Sequence, residues 1–202
     1  MSVTTWSDED INTTMMKLLL TFLLSLSILA GAQTTVVIVR HGEKPEAGLG
    51  QITCQGLNRA LALPSVLRRY GQPSANYATN PATKKKDSGV DFFYIRPLAT
   101  IEPYAVSVGM PVDISYGMHQ TGDLADKLLK TQGLVVVAWE HHLAAVLARD
   151  LVKKAGGEPS VVPRWNDADF DGIYVVRVNG NQVEFKREQQ GLKDLPQRCP
   201  GS

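Results

Sequence analysis

Two apolar runs constrain the fold of this chain more than any other feature: residues 35–39 (TVVIV) and residues 134–139 (LVVVAW). A strand with one wet face alternates apolar and polar residues. A run with no polar break is buried on both faces, which requires a sheet covered on both sides. Each run stops at a polar group, Arg40-His41-Gly42 after the first and Glu140-His141-His142 after the second.

Between and after these runs the pattern alternates with helices. Residues 55–70 carry Leu57, Ala60, Leu61, Val66 and Leu67 at helical spacing, with Pro64 expected to kink or split the helix and Gly71 to stop it. Residues 80–89 read as a polar loop in which Lys84, Lys85 and Lys86 are solvated, with attraction of an anionic substrate as the lesser alternative. A short helix is expected over 98–109. Another, capped by Thr121, carries Leu124, Leu128 and Leu129 and stops by Gly133. A further helix follows 140–142 and runs through Lys154. Residues 172–178 and 182–187 flank Asn179-Gly180-Asn181, the signature of a hairpin with a tight turn. The reading is one α/β domain over 33–202: a three-layer α/β/α sandwich with a mostly parallel central sheet and a C-terminal β-hairpin.

The first 32 residues read differently. Residues 18–30, LLLTFLLSLSILA, follow Lys17 and precede Gly31-Ala32-Gln33, the order of a secretory signal peptide over 15–32 with cleavage before Gln33. The run is short for a membrane span of about 20 residues, and it lacks the polar face of a buried core helix. Asp8, Glu9 and Asp10 are acidic where such a signal is basic, and Met15 and Met16 precede Lys17. Residues 1–14 are therefore expected to be a mis-called extension. The expected location is the periplasm, with an inner-membrane anchor as the alternative if the signal stays uncleaved. Export permits a Cys54–Cys199 disulfide without demanding one.

Composition excludes some partners. The formal charge is +1, and removing residues 1–32 takes away one lysine and three acids and leaves +3, so nothing indicates a nucleic-acid binder. Asp167, Asp169, Asp171 and Gly172 resemble the start of a calcium loop, but its twelfth position is Val178 rather than an acid. They read as a turn before a strand. Gly48, Gly50 and Gly56 lack dinucleotide-loop spacing. His141 and His142 are adjacent, so on a helix they should diverge by about 100°, unlike a metal pair. No metal and no cofactor are expected.

What remains is a set of basic residues at strand ends, where open α/β sheets bind ligands. Arg40 and His41 end the first run, Gly42 offers close backbone approach to an anion, and His141 ends the second. Arg96 follows the aromatic run 92–95 and is expected to leave a strand end too. Two arginines and two histidines suit a tetrahedral phosphate, because the guanidinium fork donates two hydrogen bonds to its oxygens. His119 reads as a solvated loop residue.

These residues resemble a known family. Residues 35–43, TVVIVRHGE, are similar to the opening of the histidine phosphatase superfamily, the phosphoglycerate-mutase-like fold. Gly56 and Arg59-Ala60 resemble the helix that follows. Residues 96–103 (RPLATIEP) resemble the second-arginine segment, and residues 135–141 (VVVAWEH) the segment with the second histidine. Residues 169–174 (DFDGIY) resemble an exported bacterial branch. The resemblance implies that His41 is the nucleophile of a phosphohistidine intermediate. It implies that Arg40, Arg96 and His141 bind the phosphoryl oxygens, and that the partner is a small phosphorylated substrate. Arg96→Ala is then expected to harm phosphate binding far more than folding.

The chain departs from the acid-phosphatase branch, which carries Asp after the second histidine where this chain has His142. Glu140 is the first choice of general acid, with Glu102 and Glu43 behind it. Two alternatives to an exported phosphomonoesterase follow. One is a catalytically weak phosphate- or phosphosugar-binding module, motivated by the missing acid. The other is a mutase-type phosphotransferase, disfavoured by export. Nothing in the pattern fixes substrate or oligomeric state.

Overall fold

The two apolar runs lie side by side at the centre of one sheet. The structure, a computed structural model, describes residues 33–201; the expected extension and signal peptide lie outside the described residues. The first run forms β1 (Gln33–Arg40) and the second β6 (Gly133–Trp139). They pair in parallel, with Val37 opposite Val136 and Arg40 opposite Trp139. On one side of this pair come β2 (Pro73–Ala78) and β5 (Val112–Asp113), both parallel. On the other come β7 (Gly172–Asn179), antiparallel to β1, and β8 (Gln182–Gln189), antiparallel to β7. The order is β5-β2-β6-β1-β7-β8.

The period of two along each strand divides the core. Val36, Ile38, Val135, Val137 and Trp139 point to the face covered by α3 (Thr121–Leu128) and α4 (His141–Lys154). Val37, Val39, Val136 and Ala138 point to the face covered by α1 (Cys54–Leu67) and α2 (Arg96–Val108). All nine are fully buried. Burying one such aliphatic side chain is worth roughly 1.5–3 kcal/mol, so the two runs are the main source of sheet stability. Among the described residues no helix is long and apolar enough to cross a membrane.

Several local expectations change. α1 continues through Pro64 to Leu67 and then tightens into a 3-10 turn, Arg68–Tyr70; Pro64 does not split it. Gln120, not Thr121, occupies the cap position of α3. Residues 80–89 are not a simple loop: β3 (Lys84–Asp87) pairs antiparallel with β4 (Val90–Phe93) in a separate hairpin, turned by Ser88 and Gly89 with φ of 49° and 86°. The β2 segment, PSANYA, lacks the β-branched signature of a strand, and β5 is two residues long. Both become strands because β6 supplies an edge to pair with.

Gly42 has a packing role. A Cβ there would lie 2.9 Å from the Gly56 Cα and carbonyl oxygen, and a Cβ on Gly56 would lie 2.7 Å from the Glu43 oxygen. The two glycines let the segment after β1 cross the start of α1 backbone against backbone. Cys54 at the start of α1 is joined by a disulfide to Cys199, a pairing the sequence left open. The side chain of Asn58 also ties the C-terminal segment, donating to the carbonyls of Pro196 and Arg198 at 2.8 Å. Because the neighbour at Gly56 is backbone and cannot rotate away, Gly56→Ala should destabilise the protein by about 1–3 kcal/mol. The shift in the urea midpoint measures this, and an unchanged midpoint would show that the crossing has slack.

Candidate active site

The parallel register of β1 and β6 sets His41 beside Glu140, one residue past the paired Arg40 and Trp139. The His41 amide continues the ladder by donating to the Trp139 carbonyl at 3.1 Å. The His41 ring is almost fully buried, and its Nδ1 lies 2.7 Å from the Gly42 carbonyl oxygen. A carbonyl only accepts, so Nδ1 carries the proton and Nε2 presents a lone pair. Burial, reinforced by the charges of Arg40 and Arg96, pushes the His41 pKa down to about 3. The imidazole is thus neutral through the physiological range. The rings of Tyr94 and Phe170 stand against it, with centroids 5.9 and 6.3 Å away.

Arg40 is buried under the loop that precedes β7. Its Nη1 donates to the carbonyls of Asp167 at 2.5 Å and Asp169 at 3.2 Å, and its guanidinium lies 3.6 Å over the Phe170 ring. Desolvation lowers its pKa to about 10, against the opposing pull of Glu140 and the Asp167 and Asp169 carboxylates, so it stays cationic. The acids of this loop act as a turn, as expected. Asp169 Oδ1 accepts from the Asp171 and Gly172 amides, and Asp171 from those of Gly191 and Leu192.

Arg96 does not leave a strand end; it is the first residue of α2. Its Nε donates to the Gln51 carbonyl at 3.1 Å, its Nη2 donates to the Gly48 carbonyl at 3.0 Å, and it is ion-paired with Asp87 of β3. Both members of the pair are buried. Arg96 therefore ties the 48–51 loop to the β3–β4 hairpin, a structural role the sequence did not disclose.

Glu140 caps α4. Its Oε2 accepts from the Leu143 amide at 3.0 Å, while Oε1 lies 2.9 Å from His141 Nδ1 and 3.6 Å from Lys85 Nζ. Burial alone would raise its pKa, but the His141 and Leu143 hydrogen bonds and the Lys85 charge together hold it well below the usual carboxylate range. The first choice of general acid is thus an anion. Neither of the other two candidates is placed to donate a proton in the pocket. Glu43 is ion-paired with Arg59 at 2.7 Å, and Glu102 is exposed on α2.

His141 reaches Asp167 Oδ1 through Nε2 at 3.0 Å. His142 does not face elsewhere: its ring lies against that of His141, centroids 4.0 Å apart, and its Nε2 is 3.3 Å from the same Asp167 oxygen. Sequence reasoning missed Lys85, Tyr94 and Phe170 as parts of this site. Tyr94 is fully buried and kept neutral by that burial, with Arg96 and Lys85 each 5.2 Å from its ring centre. The hairpin that delivers Lys85 was hidden in a run of lysines.

Both His41 and Arg96 yield measurable outcomes. Unfolded, His41 protonates near its ordinary 6.5, but folded only near 3. The unfolded state therefore binds more protons between these values, and stability falls as pH drops from about 6.5 to 3. The melting temperature should fall more steeply over that window in the wild type than in His41→Asn; parallel curves would show that the ring protonates in place. Arg96→Ala leaves a buried Asp87 carboxylate without its cation and should cost about 3 kcal/mol or more. In denaturant titrations, Asp87→Ala in the same chain should recover part of this, and a loss under about 1 kcal/mol would show that the pair does not carry the loop.

No family profile matches the chain, and no curated protein matches it. Solved structures do. The protein histidine phosphatase SixA in complex with tungstate superposes with a TM-score of 0.55 at 14% identity, over 77% of this chain and 97% of that one. A mycobacterial glucosyl-3-phosphoglycerate phosphatase bound to inorganic phosphate matches with a TM-score of 0.53 at 12% identity, over 77% and 95%. A phosphoglycerate mutase from Plasmodium falciparum matches with a TM-score of 0.53 at 12% identity, over 82% and 95%. The central sheet, its antiparallel C-terminal pair and these likenesses agree: the chain has a phosphoglycerate-mutase-like fold.

Proposed function

We propose that the protein is an exported phosphomonoesterase that acts through a phosphohistidine on His41. The observation that carries this reading is the state of His41: buried, neutral, and locked by Gly42 into the tautomer that leaves Nε2 free. That nitrogen attacks phosphorus in line. The N–P bond forms as the bond to the leaving oxygen breaks, and the leaving oxygen takes its proton from solvent. Water then attacks the phosphohistidine, releasing inorganic phosphate and restoring neutral His41. Arg40, Arg96 and His141, joined by Lys85, stabilise the charge on the equatorial oxygens. Glu140 is a positioning residue: ionised, it stands 2.9 Å from His141 Nδ1 and favours a charged His141 ring beside the phosphate. A carboxylate without a proton favours substrates whose leaving group departs unprotonated.

The two phosphatases of similar fold, SixA and the glucosyl-3-phosphoglycerate phosphatase, support phosphoryl hydrolysis, and the name of the second supports a small phosphorylated substrate. Export is supported by the apolar run at 18–30 and by the Cys54–Cys199 disulfide, since disulfides persist in oxidising compartments. A weakly catalytic phosphate-binding protein is the second reading, favoured by the anionic state of Glu140.

The wild type should hydrolyse p-nitrophenyl phosphate and His41→Ala should not. Rapid quenching should trap acid-labile, base-stable phosphate on His41. A wild type that binds phosphate yet releases none from a broad panel of esters would replace the first reading with the second.

A further inference from the structure

We propose that His141, His142 and Asp167 form a binding site for a soft divalent transition metal such as Zn2+ at the mouth of the phosphate pocket, and that the bound metal blocks that pocket. Consecutive histidines diverge on an ideal helix, but these two stand at the very start of α4, and their rings lie 4.0 Å apart with an interplanar angle of 36°. Both Nε2 atoms converge on Asp167 Oδ1, at 3.0 and 3.3 Å. Tetrahedral ligands about 2.0–2.1 Å from zinc stand roughly 3.3–3.4 Å from one another. Two of the three ligand-to-ligand distances, those from each Nε2 to the carboxylate oxygen, thus lie close to the zinc spacing, so an ion can draw on both imidazoles and the carboxylate.

The surroundings fit as well. A zinc-bound histidine characteristically gives its other nitrogen to a carboxylate, which fixes the ring and raises its basicity. Glu140 Oε1 occupies that place, 2.9 Å from His141 Nδ1. The donor atoms of Glu140, His141 and His142 lie within 4.8 Å of one another. The side chains of His142 and Asp167 are 49% and 78% exposed, which gives the ion an entry path and leaves the fourth position to water. Two imidazoles with one carboxylate select zinc or copper over magnesium or calcium. The blocking follows because a metal on His141 Nε2 removes a donor from phosphate. That consequence, unlike the binding itself, rests on the phosphatase reading above.

The test titrates Zn2+ into the full chain against a chromogenic chelator. One equivalent should bind, and the affinity should fall about tenfold or more in His142→Ala and in Asp167→Asn. Without metal, His142→Ala should hydrolyse p-nitrophenyl phosphate like the wild type, but half-inhibition should need about tenfold more Zn2+. Absence of stoichiometric binding, or unchanged affinity in His142→Ala, overturns the site. Stoichiometric binding without inhibition overturns the blocking. His142-dependent binding in a protein that hydrolyses no phosphoester upholds the site and rejects the phosphatase reading.

Discussion

The parallel pairing of β1 with β6 is the interaction on which everything else depends. Both strands are apolar on both faces, so neither can stand at a sheet edge or leave a face to water without losing much of its burial energy. Placed together at the centre, they require a helix layer above and below, and α1 to α4 supply it. The same register fixes the chemistry. Arg40 opposite Trp139 brings His41 level with Glu140 at the carboxyl ends of the two strands. The stability of the sheet and the placement of His41 beside Glu140 are set by one ladder of hydrogen bonds.

Desolvation then governs the pocket. Burial strips water from His41 and Arg40, and the two respond differently. The histidine gives up its proton, while the arginine, opposed in its desolvation by the pull of Glu140 and of the Asp167 and Asp169 carboxylates, keeps its charge. Glu140 runs the other way, because His141, the Leu143 amide and Lys85 outweigh the cost of its burial. A neutral imidazole beside a set of cations is an arrangement suited to phosphoryl transfer, in which charge is carried by the equatorial oxygens. The Arg96–Asp87 pair ties the β3–β4 hairpin to the start of α2, and the same guanidinium holds the 48–51 loop.

Much of this was legible from residue pattern. Unbroken apolar runs, a tight Asn-Gly turn and basic residues just beyond strands carry their meaning locally, since each reflects the environment its own segment demands. The β3–β4 hairpin was not legible: Lys84–Asp87 has no apolar alternation, and its strand character comes from pairing with Val90–Phe93. β2 was hidden for the same reason, its burial supplied by β5 and β6. The position of His142 was also hidden, because an ideal helix turns adjacent side chains apart. At the helix start the two histidine rings instead converge on Asp167, twenty-five residues further along the chain from His142.

The sequence by itself determined the layer architecture and the placement of Arg40, His41 and His141 at the ends of two central strands. Each of these depends on a single segment and its hydrophobic period. Tertiary structure alone decided how the charges are shared: that Arg96 is held by Asp87, that Lys85 reaches Glu140, and that Glu140 is an anion. It also decided that Gly42 serves the close crossing of Gly56. These properties arise from distances between segments far apart in the chain, and protonation in a dry pocket depends on every charge within reach.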